Sequence, residues 1–297
     1  MAGPLWSGSS RPARSAQQVG FEVVRAWWHQ PRSVVISQVA APTILKRPLP
    51  PFIRRCRGEG GLVSDSAEFK RVAAAAALDF IHPGMRLGLG TGSTAEAFLE
   101  LLAGRVAKGL DVVGAATSER TAGKARALGI KIAELDDLAP LDVTIDGADE
   151  TDDALNLIKG GGGALLREKI VAASSRKMVV IADHSKLVKR LGAYALPVEI
   201  VAFGARSTLD RLERTLAEFG YKDVTVTPRS GPEGLFRTDS GNLIFDCALK
   251  VIHDAPSLAT ALSQVPGVVD HGLFIGLASH LIIAGPAGTR ILEGKAS

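Results

Sequence analysis

The sequence predicts an α/β protein, built on a parallel sheet covered by helices on both faces and followed by a smaller α+β domain. Apolar runs of strand length alternate with helix-period segments from Ser64 to about Asp183, the order that produces parallel strands joined by crossover helices. Glycine- and aspartate-rich turns stand directly after those apolar runs, where an open parallel sheet forms its ligand crevice. After Leu191 the rhythm changes, with Gly231-Pro232 and Gly241-Asn242 supplying turns between shorter strands.

Taken in order, "SAEFKRVAAAAALDFI" has helical periodicity, with Ser66 as the expected N-cap and His82-Pro83-Gly84 as its stop. "MRLGLG" is a short buried strand, and "STAEAFLELLAGRVA" a helix with apolar residues three and four apart. "DVVGAA", "IKIAEL" and "LDVTIDGAD" are expected as strands, with the helix "SERTAGKARALG" between the first two. "GALLREKIVAAS" is helical and "KMVVIAD" a further strand. The later unit contains "LPVEIVAFG", the helix "STLDRLERTLAEFG", the strands "DVTVTP" and "NLIFDCAL", the helix "SLATALSQV" and "GLFIG". The closing "SHLIIAGPAGTRIL" is expected to rejoin the first sheet.

Composition narrows the classes. The 297 residues are 46% hydrophobic and 22% charged, the balance of a globular chain long enough for two cores. No run of 18 or more uninterrupted apolar residues suggests a membrane span. Two cysteines without a C-x-x-C pair and six scattered histidines suggest neither a disulfide framework nor a metal site. The net charge of +4 is uneven: residues 1–60 carry nine Lys/Arg and two acids, +7, which leaves −3 for the remainder. The basic excess lies off the folded body, so a nucleic-acid footprint is not expected. For residues 1–62, rich in Arg, Pro and Ser, three explanations compete. They are a disordered tail, a start codon assigned upstream of a true start near Leu62 or Val63, and an organellar transit peptide. The first two are preferred, with a cytoplasmic location.

Five places could carry chemistry. "GLGTGST", Gly88 to Thr94, joins a strand to a helix N-terminus, where glycines and free N–H groups suit a phosphate monoester. It lacks the Gly-Lys-Ser/Thr of a P-loop and the third glycine of a dinucleotide fingerprint, and it could be only a tight turn. "DGAD" puts Asp146 and Asp149 at a strand's carboxyl end, or else forms an ordinary aspartate turn. Glu150, Asp152 and Asp153 are expected on a solvated face. "KGGGGA", Lys159 to Ala164, carries four successive glycines, which cost backbone entropy unless something approaches the chain closely. Glu168 falls on or beside the apolar face of its helix, where desolvation raises a carboxyl pKa; the alternative is a surface pair with Arg167 or Lys169. Lys186, in "ADHSK", also follows a buried strand. Together these give acids, lysines, hydroxyls and a glycine nest without a Ser/His nucleophile, which points to proton transfer on a small phosphorylated, polar substrate.

The blocks "GLGTGST", "DGADE", "NLIKGGGGALLREK", "IADHSK", "LPVE" and "PGVVDHGLF" occur in this order. In them the chain resembles the ribose-5-phosphate isomerases of type A, from about Ser66 to Leu292. The resemblance implies a cofactor-free pentose-phosphate enzyme that interconverts ribose 5-phosphate and ribulose 5-phosphate through an enediolate. It implies a Rossmann-like catalytic domain of residues 63–194 and 270–297, with an inserted ferredoxin-like α+β domain of residues 195–269. By position, Glu168 matches the base between C1 and C2, and Asp146 the acid that assists ring opening and handles hydroxyl protons. Asp149 and Lys159 match residues that hold substrate oxygens. Thr91, Gly92, Ser93 and Thr94 match the substrate loop, and Lys186 and Lys70 match lysines near the phosphate. Gly147, Ala148, Gly160, Gly161 and Gly162 complete the expected binding surface. Family members are commonly dimers or tetramers, so a homo-oligomer is expected. Two features depart from the pattern: the amino-terminal extension, and "TSERTAGKA", where Glu119 and Arg120 stand in a usually serine-rich loop. The rivals are a sugar-phosphate sensor without turnover, which would want a helix-turn-helix ahead of the sugar domain, and an acyl-CoA transferase, which would want a CoA site.

Overall fold

The computed structural model describes residues 44–47, 65–232 and 234–294. Ile44–Arg47 forms β1, inside the 1–62 segment whose remainder lies outside the described residues. Asp65–Ala77 forms α1 and a 3-10 turn at Leu78–Phe80 closes it before the His82-Pro83 stop. Ser66 lies inside the first turn rather than ahead of it, and its hydroxyl donates to Asp183 Oδ2 at 3.2 Å, so it is not the cap the sequence suggested. Next come β2 (Arg86–Leu89), α2 (Ser93–Val106), β3 (Val113–Ala116) and α3 (Glu119–Ala127). Ser118 caps α3 by accepting from Thr121 N–H. "IKIAEL" is strand only at β4 (Lys131–Ile132), then turns into the single helical turn α4 (Leu135–Leu138). After β5 (Val143–Asp146), β6 (Glu150–Thr151) and β7 (Leu157–Ile158) come α5 (Leu165–Ala173) and β8 (Met178–Asp183).

The smaller unit runs through β9 (Leu196–Ile200), α6 (Ala205–Glu218) and β10 (Val226–Pro228). The hairpin β11 (Ser230–Gly231) and β12 (Gly234–Leu235) precedes β13 (Leu243–Cys247), α7 (Ala255–Ser263) and β14 (Val268–His271). A short β15 (Leu273–Phe274) leads to β16 (His280–Gly285) and β17 (Gly288–Glu293).

The large sheet has the order β1-β17-β16-β8-β5-β2-β3-β4. The strands from β16 to β4 are parallel, and β17 and β1 add antiparallel at one edge. The closing segment therefore does return to the first sheet. Strand order reverses between β2 and β5, the switch point outside whose carboxyl ends an open sheet binds ligands. Alternation along β8 shows why both faces are covered. Val179 and Ile181 pack under α1 and α2 with Leu87, Ile145 and Phe98, while Val180 and Ala182 pack on the other face with Phe274 and Leu281. Each of the Val, Leu, Ile and Phe side chains, fully buried, contributes about 1.5–3 kcal/mol. The second sheet, β10-β13-β9-β14, spans Leu196 to His271 and packs Val198, Ile200 and Phe245 against Leu212, Leu216, Leu258 and Leu262. The small sheet β15-β7-β6 lies beside the glycine run. No described helix is long and apolar enough to cross a membrane.

Candidate active site

The carboxyl ends of β2 and β5 deliver the two aspartate- and glycine-bearing turns to one place. Gly90 must be glycine: a Cβ there would collide with the Asp146 carboxylate. That close approach lets Thr91 N–H donate to Asp146 Oδ1 at 3.2 Å, beside Gly147 N–H at 2.7 Å. Asp146 is wholly buried, and its other oxygen lies 2.9 Å from Lys159 Nζ. Lys159 follows β7, is 2% exposed, and donates to Gly147 O at 2.8 Å. Its ammonium also stands 3.4 Å from Glu168 Oε2 and 5.6 Å from the centre of the Phe274 ring.

Glu168 sits on α5 with Leu165, Val171 and Ala172 as the buried face of that helix. The surface-pair alternative fails, because Arg167 bonds Glu119 at 2.8 Å and Lys169 bonds Asp270 at 2.5 Å. Beyond the Lys159 ammonium, neither Asp146 Oδ2 nor Glu168 Oε2 has a hydrogen-bond partner among the described residues. One cation thus stands between two buried carboxylates. Burial pulls the Lys159 ammonium down, but the Asp146 and Glu168 carboxylates outweigh it and hold the group above its ordinary value. Burial raises Asp146 despite Lys159 and its N–H donors. Burial likewise raises Glu168; Lys159 opposes this, Asp146 and Asp149 add to it, and the group is pushed up to about 8.

Asp149 is half-buried and accepts from Gly161 N–H at 2.7 Å. Gly160 and Gly163 adopt left-handed φ of 104° and 79°, and a Cβ on Gly163 would collide with the Phe236 ring. The four glycines are therefore a packed nest rather than a linker. At the other end of the cleft, the first turn of α2 begins at Ser93 with Gly92 at φ 112° ahead of it. Lys70 Nζ donates to Ser93 Oγ at 3.1 Å, and Lys186, from a 3-10 turn after β8, lines the same space.

One cleft of about 120 Å³ gathers Lys70, Thr91–Thr94, Gly147–Asp149, Lys159–Gly162, Glu168 and Lys186. Asp146 lies just beneath it. Thr91 differs from its expected part: its hydroxyl turns inward to Thr117 (2.7 Å), Ser118 (2.8 Å) and Thr121 (3.0 Å), away from the cleft. Glu119 and Arg120, the unusual charges of that loop, bond Arg167 and Glu96 instead of entering the cleft. Cavities of about 220 and 510 Å³ lie elsewhere, but no buried charged side chain lines either. Buried charge, rather than volume, therefore marks the smaller space as the candidate site.

Sequence reasoning missed several supports. Glu150 is not on a solvated face: it is 5% exposed and accepts from Gly192 N–H (2.7 Å) and Tyr194 N–H (2.6 Å). Asp152 folds its own turn by accepting from Ala154 and Asn156, while Asp153 is exposed as expected. Arg229 reaches from the smaller unit to Gly160 O at 2.6 Å. Glu199, fully buried, accepts from Thr238 and Asn242 at 2.9 and 3.0 Å.

Comparison with known proteins agrees with this geometry. The family model described as ribose 5-phosphate isomerase A (phosphoriboisomerase A) matches residues 113–288. A ribose-5-phosphate isomerase A of Rhizobium leguminosarum bv. trifolii is 56% identical over 231 residues, 78% of this chain and 99% of its own. One from Rhodopseudomonas palustris is 56% identical over 232 residues, with 78% and 96% covered. Among solved structures, the ribose 5-phosphate isomerase of Plasmodium falciparum superposes with a TM-score of 0.73 at 38% identity, covering 78% of this chain and all of its own. A D-ribose-5-phosphate isomerase in complex with phospho-erythronic acid gives 0.72 at 36% identity, covering 77% and 99%. Nested turns, buried acid–lysine cluster and sequence agree, and the chain belongs to the ribose 5-phosphate isomerase A family.

Proposed function

We infer that this chain interconverts D-ribose 5-phosphate and D-ribulose 5-phosphate, an aldose–ketose isomerisation of the non-oxidative pentose phosphate pathway. The observation that carries the reading is Glu168: a buried carboxyl pushed up to about 8, beside a buried ammonium, at the edge of a cleft with phosphate-binding features.

The chemistry follows from the groups at each end. The α2 N-terminus, with Ser93 and Thr94, offers N–H and hydroxyl donors to a phosphate, and Lys70 and Lys186 add positive charge. This anchors the open-chain sugar with C1 and C2 toward Glu168. As the ionised base, Glu168 takes the C2 proton of the aldose, the C1–C2 bond gains double-bond character, and the charge moves onto O1. Lys159 stabilises that oxyanion without titrating, because its two carboxylate neighbours keep it protonated. Asp146 takes the O2 proton and protonates O1, and Glu168 returns its proton to C1, which leaves the ketone at C2. The same Asp146 assists ring opening beforehand, while Asp149, fixed by Gly161 N–H, holds a substrate hydroxyl. A base whose pKa lies near the working pH is the efficient choice for such transfers.

The protein is further proposed to act as a homodimer or homotetramer in the cytoplasm, which sedimentation and fractionation would test. The activity itself is tested by a coupled assay for ribulose 5-phosphate formation, run with EDTA. Turnover is the expected result; binding of ribose 5-phosphate without turnover would return the protein to the sensor reading.

A further inference from the structure

Four consecutive glycines have many backbone states open to them, so something outside the run must select the one that faces the cleft. The run closes one turn of its own, Gly163 N–H donating to Gly160 O at 3.0 Å, and a further hold on the same carbonyl comes from the smaller unit. Arg229 follows β10, and its own backbone is fixed twice, N–H to Ile244 O at 2.8 Å and C=O from Phe236 N–H at 2.8 Å. Its guanidinium is held by both oxygens of Asp246, Nε to Oδ2 at 3.0 Å and Nη2 to Oδ1 at 2.5 Å. That paired fork leaves Nη1 aimed at the nest, where it donates to Gly160 O at 2.6 Å and approaches Gly161 O at 3.4 Å.

We propose that Arg229, oriented by Asp246, is a positioning residue for the reacting end of the cleft: it fixes the Gly160–Gly162 peptides and, through them, Asp149. In a trans peptide the C=O and N–H point in opposite directions. Drawing the carbonyls of Gly160 and Gly161 toward Arg229 therefore turns the N–H groups of Gly161 and Gly162 away from it. Gly161 N–H meets Asp149 Oδ2 at 2.7 Å, and Gly162 lies on the cleft wall. The nest has no slack to find this arrangement another way: a Cβ on Gly161 would crowd both the Asp149 carboxylate and the Tyr194 hydroxyl. The phosphate end, built from α1, α2 and the turn after β8, has no bond to Arg229.

The proposal rests on the isomerase reading, and the experiment separates the two. Arg229→Met, Arg229→Lys and Asp246→Asn are compared with the wild type for kcat, KM for ribose 5-phosphate, inhibition by inorganic phosphate, and melting temperature. Calorimetric binding of a phosphorylated four-carbon aldonate reads the reacting end without turnover. Misplacing reacting groups by about an ångström costs about a hundredfold in rate. Arg229→Met should accordingly lower kcat by about 10- to 100-fold and weaken the aldonate about tenfold, with KM within about threefold and phosphate inhibition unchanged. Arg229→Lys and Asp246→Asn should fall between. A wild type without turnover fails the isomerase reading alone, since aldonate binding still reports on Arg229. Wild-type kcat, KM and aldonate affinity in Arg229→Met, with or without a lower melting temperature, would overturn the positioning role. So would an equal loss of phosphate inhibition, or failure of all three variants to fold.

Discussion

The two ends of the cleft are built on opposite principles. At the proposed reacting end, Asp146, Lys159 and Glu168 are at most 2% exposed, so their charges interact strongly and water does not screen them. At the proposed phosphate end, Ser93 is exposed and Lys70, Thr94 and Lys186 are half-buried, so each remains hydrated. Desolvation at the first end shifts protonation, as the proposed proton transfer requires. Hydration at the second suits the attraction and release of a charged ligand. Function follows from this contrast in burial more than from residue type, since both ends contain lysine.

The contrast breaks most sharply at Lys159. Lys159→Met would leave two buried carboxylates without their cation, a change that costs about 3–5 kcal/mol when a buried pair is broken. It also removes the proposed oxyanion partner, so kcat should fall by about 10²- to 10³-fold. Activity and melting temperature close to those of the wild type would show that the ammonium is dispensable to both.

The pH dependence sharpens the same point. Because the proposed base Glu168 works only when ionised and its pKa is pushed up to about 8, kcat/KM should rise with pH and level off above that value. A profile already flat from about pH 6 would remove Glu168 from the titration. Stability carries the opposite sign. A folded pKa above the ordinary 4.5 favours folding at low pH, and that contribution is lost as pH rises toward about 8. Glu168→Gln has no charge to bury, so its stability relative to the wild type should increase across this window in pH-dependent melting. A constant difference would mean that Glu168 is not strained.

At the hydrated end the effects should be smaller and of another kind. Lys186→Ala or Thr94→Ala should raise KM by about tenfold with little change in kcat, because the lost contacts serve ground and transition states alike. A fall in kcat at constant KM would move either residue to the reacting end. Least of all, removal of residues 1–62 should preserve turnover, although it uncovers the β17 edge that Ile44–Arg47 pairs with. Inactive or aggregated protein would make that strand part of the working fold.

What could be read in the sequence, and what could not, divides by distance along the chain. The strand-end turns at Gly88–Thr94 and Asp146–Asp149 were legible because sheet periodicity and turn chemistry are local. Glu168 was legible as a carboxylate near an apolar helical face, though only the structure pairs Arg167 and Lys169 elsewhere and so frees it. Glu150 was misread because its partners, Gly192 and Tyr194, lie more than 40 residues away, and a run of acids beside a turn resembles a solvated face. Arg229 was invisible for the same reason: its contact with Gly160 spans 69 residues and crosses between the two units. Thr91 shows the limit at short range, since the motif locates the residue but not the direction of its hydroxyl.

The central claim is that the buried end transfers the carbon-bound proton through Glu168, and the kcat of Glu168→Gln tests it most directly. Glutamine keeps the shape and removes the basicity, so kcat should fall by at least about a hundredfold, with KM little changed and folding intact by circular dichroism. Near-normal turnover by that folded variant would pass the role to Asp146 or Asp149 and contradict the account.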